Sequence, residues 1–461
     1  MTPRRKIALA ACLTAALAAS GCATLSRLNP FDGDDGPQET AGEGERISIV
    51  QADQILAPTE ALKGVDFALP QPATVTVWAL PGGSPEQSVE HVDAAPNLAV
   101  AWRRGFGDGG GRSTHVTAPP VAADGKVFVM DGEGRVSAIN ARTGDQVWRT
   151  NTSPGDRRDR TAYGGGVAYA DGKLYVSSGY RQVVQLDAAT GAVGWRQRTG
   201  EAIHAAPTVA GGRVMAVAID NTLLTFDAAT GTPGWTYQAL TEPARILSAS
   251  SPAVAGDTVV ASFGSGELVA LRAANGNDLW NEALSRASRT SALSEIRDIP
   301  GRPVIYQGDV FAVSHSGVFA ATDLRTGQAR WPLPVVGFSS PWPAGDVVYA
   351  VSKTGEVICA SRETGQVYWI RDLSEGAKPR RVGGFLGMGG SKVSRTLWSG
   401  PLLANNRLLV GGETGRLAVI NAKTGALERE IDLKAPILIA PIALGDTIYV
   451  VTAGAQLVAL R

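Results

Sequence analysis

The sequence is poor in cysteine, histidine and net charge. Its 461 residues hold three cysteines and four histidines, and 43 basic side chains balance 43 acidic ones. Three cysteines cannot build a disulfide framework or a four-ligand zinc site. A formal charge of zero lacks the basic surplus that nucleic-acid binding requires. His91, His115, His204 and His315 stand far apart, with no second histidine at metal-ligand spacing. No G-x-S-x-G elbow, H-E-x-x-H motif or C-x-x-C-H haem motif occurs. The run Gly384-Phe385-Leu386-Gly387-Met388-Gly389-Gly390 neither follows a clear strand nor opens a helix, so it lacks the setting of a phosphate loop.

Glycine, by contrast, is abundant. Fifty-five glycines make about 12% of the chain, against an average near 7%. Prolines are ordinary in number, so the excess points to many tight turns between short strands. At the N-terminus, Arg4, Arg5 and Lys6 precede an apolar stretch from Ile7 to Ala19, too short to span a bilayer comfortably. Small residues follow at once. Ala19-Ser20-Gly21-Cys22 resembles a bacterial lipobox, with Ala19 where that family usually has Leu. The resemblance implies removal of residues 1–21 and acylation of Cys22 by diacylglycerol, leaving 40 basic against 43 acidic side chains. Ala23 follows, rather than the Asp that resembles an inner-membrane retention signal, so the implied address is the outer membrane, facing the periplasm. Residues 22–60 read as an acidic flexible tether, with Asp32, Asp34, Asp35, Glu39, Glu43 and Glu45 among glycines. Residues 61–96 read as an extended strap on the main domain.

Residues 97–461 are one repeat. A unit such as GGGVAYADGKLYVSSGYRQVVQLDAATGAVGW holds three alternating apolar runs, then a fourth that contains a tryptophan. Period-two alternation marks strands, and the Asp-Gly and Thr-Gly pairs mark hairpins. Four antiparallel strands per unit form one propeller blade. Successive units end at Trp148, Trp195, Trp235, Trp280, Trp331 and Trp369, and a seventh has Arg429 where the tryptophan would stand. These rings are expected to seal the gaps between blades. The 365 residues from Asn97 to Arg461 suffice for eight blades at about 45 residues each. The last stretch supplies only three strands, and NLAVAWRRGF puts Trp102 in the register of the other tryptophans. The expected fold is therefore all-β: an eight-bladed propeller of four-stranded antiparallel blades, closed by an N-terminal strand that completes the last blade.

The A-x-T-G-x-x-x-W signature resembles that of pyrroloquinoline-quinone-type propellers. Together with the lipoprotein signal and acidic tether, it is similar to the BamB family. That resemblance implies a non-enzymatic lipoprotein of the machinery that assembles β-barrels into the outer membrane. Its implied partners are BamA, the other BAM subunits and unfolded barrel proteins, with one copy per complex, a lipid anchor and no cofactor. Two alternatives stay open: a periplasmic quinoprotein dehydrogenase and an adaptor for another envelope complex. Against the first, the chain has no adjacent cysteine pair, and Cys359 in EVICAS reads as a small buried apolar side chain.

Function in a propeller is expected on loops between blades. The turn glycines Gly144, Gly191, Gly231, Gly276, Gly327, Gly365 and Gly425 are separated by 47, 40, 45, 51, 38 and 60 residues. The long gaps mark insertions between Trp280 and Pro303 and between Trp369 and Ser399. In the first, Arg297-Asp298 resembles the family's D-x-D segment, with Pro300 at the second acidic position. In the preceding loop, Arg245-Ile246-Leu247 resembles a Leu-Ser-Leu-Arg-Gly segment with the arginine displaced. The resemblance makes these five residues candidates for binding BamA, an aliphatic anchor beside two charges. The second insertion, 371–395, carries Lys378, Arg380, Arg381, Lys392 and Arg395 around Phe385, Leu386 and Met388, and reads as a surface loop.

Overall fold

Alternating apolar residues broken by Asp-Gly, Gly-Gly and Thr-Gly pairs give strands of three to seven residues joined by tight turns. The computed structural model describes residues 56–109, 111, 114–155, 163–241, 250–284, 297–375, 380–382, 391–393 and 395–461. The chain divides into two units, Met1–Gln54 and Ile55–Arg461, and every described residue belongs to the second. The described residues form eight four-stranded antiparallel sheets, with a 3-10 turn at Glu60–Leu62 and a small hairpin pairing Arg380–Val382 with Ser391–Val393. Blades 1 to 7 span 121–151, 165–198, 208–238, 253–283, 304–333, 342–372 and 398–432. Blade 8 takes Ile442–Leu444, Thr447–Thr452 and Gln456–Leu460 from the C-terminus, and its outermost strand is Val100–Gly105. The expected closure by the N-terminal strand is thus observed, and the ring leaves no open junction between its ends.

Burial follows position in the blade. Middle strands such as Lys173–Ser178 and Gln182–Asp187 are buried on both faces, because a neighbouring blade covers each face. Outermost strands such as Gln146–Asn151 and Val193–Arg198 alternate between exposed and half-buried residues, since the rim faces water on one side.

The Thr-Gly turn proves to have two functions. Asp187 closes the turn into the outermost strand of blade 2 by accepting hydrogen bonds from the Ala189 and Thr190 N–H groups and the Thr190 hydroxyl. The Lys173 ammonium and these Thr190 donors hold its carboxyl down at about 2. Asp227 and Asp323 make the same turn in blades 3 and 5, and Asn140 and Asn421 make it with amide oxygens in blades 1 and 7. The glycine that follows has φ between 69° and 76° in all seven turns. It also lies against the tryptophan of the preceding blade: a Cβ there would stand only 2.5–2.8 Å from the indole rings of Trp102, Trp148, Trp195, Trp235, Trp280, Trp331 and Trp369. The indole N–H groups of Trp148, Trp195, Trp235, Trp280 and Trp331 donate to Ala188, Ala228, Ala273, Leu324 and Arg362 carbonyls of the next blade, at 2.7–3.1 Å. At Trp102 and Trp369 the corresponding carbonyls, Ala141 and Ala422, instead accept from Tyr449 and Tyr349 hydroxyls. Each tryptophan therefore packs its blade against the next, and its seat is the turn glycine of that next blade.

The same rule explains Arg429. Blade 8 has no Thr-Gly turn, because its outermost strand arrives from the N-terminus, so no glycine seat exists for a tryptophan of blade 7. Arg429 instead donates to the Asn97 carbonyl at 2.6 Å, bridging to the chain just before the closing strand.

Residues 56–96 lie across the propeller, with contacts beginning at Leu56 and Thr59, slightly before the boundary expected at 61. Between Val75 and Val92 this strap bonds to the inner strand, or the turn that ends it, in every blade. The Trp78 amide pairs with Ala122 of blade 1, and the Ala79, Pro85 and Glu86 carbonyls accept from Tyr169, Val254 and Ile305 of blades 2, 4 and 5. Gln87 Nε2 donates to Thr208 of blade 3, the Trp342 indole of blade 6 donates to Glu90, Val92 pairs with Leu403 and Asn405 of blade 7, and Gly445 of blade 8 donates to Val75. Trp78 is 1% exposed and stacks on Trp342, with ring centres 6.4 Å apart.

Cys359 sits on Glu356–Ser361, fully buried opposite Tyr349. Burial pushes its thiol well above the ordinary range, so it is neither nucleophilic nor accessible. A water-soluble thiol reagent should leave Cys359 unmodified in the native chain and label it completely in denaturant; rapid native labelling, read by mass spectrometry, would contradict this packing. Gly231 has φ +75° and a Cβ there would lie 2.7 Å from the Trp195 ring. Gly231→Ala should lower stability by about 2–4 kcal/mol, from left-handed strain plus overpacking, seen as a lower urea midpoint; an unchanged midpoint would refute the seat.

Candidate functional site

In a four-stranded meander the outermost strand ends at the same edge where the innermost strand starts. The connections between blades therefore gather on one face of the ring, and the strap lies on the other. The described ends of the two long insertions and of the 239–252 loop lie on the connection face.

The structure brings two of the candidate loops together at their feet. The Ser250 hydroxyl, which ends the blade 3–4 loop, donates to the Gly301 carbonyl at the end of the blade 4–5 loop, 3.2 Å away. Glu267 of blade 4 braces the start of the blade 3–4 loop. Its carboxylate accepts from the Leu240 amide at 2.8 Å, from Ser265 at 2.7 Å and from Asn281 at 2.9 Å. Leu284 and Ile299, at the two feet of the blade 4–5 loop, are buried, and the Leu284 amide donates to Gly266.

The predicted contact residues separate on this frame. Arg245, Ile246 and Leu247 lie outside the described residues, as does Cys22. Arg297 is exposed, and its backbone packs over Gly266, where a Cβ would lie 2.8 Å from the Arg297 carbonyl oxygen. Asp298 departs from the expectation of a solvent-facing charge. It is 2% exposed, and its carbonyl accepts from His315 of the next blade at 2.9 Å. The cause is local: Ile299 and Pro300 are drawn into the junction between blades 4 and 5, and Asp298 is carried in with them. In the second insertion, Lys392, Arg380 and Arg381 fall on the small hairpin, while Lys378, Phe385, Leu386 and Met388 lie outside the described residues.

Other groups on this face carry no repeat signal and were not singled out in the sequence. Tyr163 packs edge-on against His115 and His204, with ring centres 6.3 and 5.2 Å away. Lys353 Nζ lies 5.5 Å over the Phe338 ring and 3.3 Å from His315 Nε2. Leu240 and Leu438 are 68% and 49% exposed. Exposed aliphatic groups between aromatic rings and cations make a surface suited to protein contact. At the axis, the feet of the connections and the strap line a partly open cavity of about 180 Å³. No cluster of His, Cys, Asp or Glu that could hold a metal ion occurs among the described residues, and no described helix is long and apolar enough to cross a membrane.

Known proteins place this arrangement. The family model described as outer membrane protein assembly factor BamB matches residues 85–156, 132–371 and 381–461. Among curated relatives, outer membrane protein assembly factor BamB of Alkalilimnicola ehrlichii is 29% identical over 391 residues, covering 84% of this chain and 95% of its own length. The BamB of Burkholderia pseudomallei is 26% identical over 367 residues, covering 77% and 86%. Among solved structures, BamB from Moraxella catarrhalis superposes with a TM-score of 0.67 at 18% identity, over 79% of this chain and 99% of that one. Quinohemoprotein alcohol dehydrogenase from Comamonas testosteroni gives 0.62 at 16% identity, over 84% and 81%. At such identities both superpositions speak to the blade architecture alone, whereas the family match runs from residue 85, near the end of the strap, through all eight blades: the chain belongs to the BamB family of outer membrane protein assembly factors.

Proposed function

We propose that this chain is a non-enzymatic scaffold of outer-membrane β-barrel assembly. In this reading Cys22 carries a lipid that holds the protein to the outer membrane on its periplasmic side. The connection face, through the 239–252 and 284–303 loops, then binds BamA, and the ensemble assists insertion of barrel proteins. The observation that carries the reading is the family match over most of the chain. The geometry supports the choice of face. The feet of two adjacent loops, tied at Ser250 and Gly301 with the first braced by Glu267 at Leu240, lie on the side that the strap leaves uncovered.

Roles within that surface divide by burial. Arg297 is free to meet an acidic partner group, and Ile246 with Leu247 would supply the desolvated anchor. Asp298, being buried, fixes the foot of the loop instead. Cys359 is buried within blade 6 against Tyr349 and takes no part in this surface.

Ile246→Glu combined with Leu247→Glu should abolish co-purification of BamA from gently solubilised envelopes while leaving the circular dichroism spectrum unchanged; undiminished capture would remove this loop from the interface. Cys22→Ser should release the protein from the membrane fraction in soluble form. Continued dependence on detergent for extraction would count against the lipid anchor.

A further inference from the structure

The axial cavity has a composition that packing alone does not explain. One end is closed by Trp78, Pro81 and Gln87 of the strap, and the wall takes residues from the feet of all eight blades. Most of that wall is apolar or is already satisfied. Gln87, for example, accepts from the Gly82 amide and donates to Thr208 and the Pro252 carbonyl. Arg302 is the exception. It is the one Asp, Glu, Lys or Arg among the described residues that line the cavity. Its backbone N–H donates to Ser340 Oγ at 2.9 Å, but its side-chain Nε is buried without a hydrogen-bond partner. It forms no ion pair with any described residue. Protein atoms wrap it closely enough that burial draws its pKa down to about 10, although part of its surface remains accessible inside the cavity.

A buried cation without a counter-charge is costly, and an anion of matching shape removes the cost. The planar guanidinium fork pairs best with a carboxylate or a phosphate. Size and lining separate these two. A cavity of about 150 Å³ accommodates benzene, so the space here suits a single ring or a branched aliphatic body of similar size. Phe338, Trp342 and Trp78 supply apolar surface for such a body, which a bare phosphate would leave unused. We propose that the axial cavity, formed by the eight blade feet over the strap, is a binding site for a small organic monocarboxylate held by Arg302. Arg302 stands at the end of the 284–303 loop, and the proposal does not depend on that loop's role in docking.

Titration calorimetry of the full chain with benzoate, benzamide and inorganic phosphate tests this. Benzoate should bind saturably at one per chain, and benzamide, isosteric but uncharged, should bind roughly tenfold to a hundredfold more weakly, the difference expected for a hydrogen bond to a charged group. Arg302→Gln should weaken benzoate by a similar factor. Equal binding of benzoate and benzamide, no benzoate binding, or benzoate binding undiminished in Arg302→Gln would overturn the proposal. Phosphate binding more tightly than benzoate would overturn the assignment to a carboxylate. If Arg302→Gln fails to fold, the benzoate-to-benzamide ratio on the unaltered chain decides.

Discussion

Each junction of the ring but one depends on a tryptophan of one blade resting on a glycine of the next. The contact has no tolerance for a side chain at the glycine, because a Cβ would enter the indole ring. It also needs the left-handed backbone that lets the outermost strand turn back beside the blade. The two demands fall on one residue, which makes the blade turn and the blade junction a single unit of structure. Burial of both faces of the middle strands follows from it, since each face is covered only when the neighbouring blade is seated.

The ring is closed in three ways that act on different parts of the chain. The strand Val100–Gly105 joins the C-terminal strands by backbone pairing, replacing a turn that blade 8 does not have. Arg429 then bridges the junction that lacks a glycine seat. The strap adds bonds from one short segment to every blade, so separating any two blades strains the same eighteen residues from Val75 to Val92. By covering one face of the axis, it turns what would be an open channel into a cavity and leaves the connection face uncovered.

The fold was legible in the sequence because its signals are local and repeated. Asp or Asn at the turn, Thr-Gly after it and the tryptophan four residues on act within a single unit, and seven near-copies state the pattern redundantly. The candidate site was legible only in outline. Repeat spacing located the enlarged connections, since extra residues lengthen a gap whatever their conformation. It could not assign exposure within them. Asp298 follows the exposed Arg297, yet Ile299 and Pro300 draw it into a blade junction. Tyr163 and Phe338 sit between blades and Lys353 in a turn of blade 6, and none of them carries a periodic mark.

The sequence by itself determined the blade count, the strand that closes the ring and the tryptophan register, because hydrophobic period and turn chemistry are properties of neighbouring residues. Only the tertiary structure decided why Arg429 replaces a tryptophan, where the strap runs and that Arg302 faces the axis without a counter-charge. Those outcomes join residues hundreds of positions apart, from Asn97 to Arg429 and from Gln87 to Pro252. Such pairs meet only when eight blades close into a circle, and no local pattern encodes that meeting.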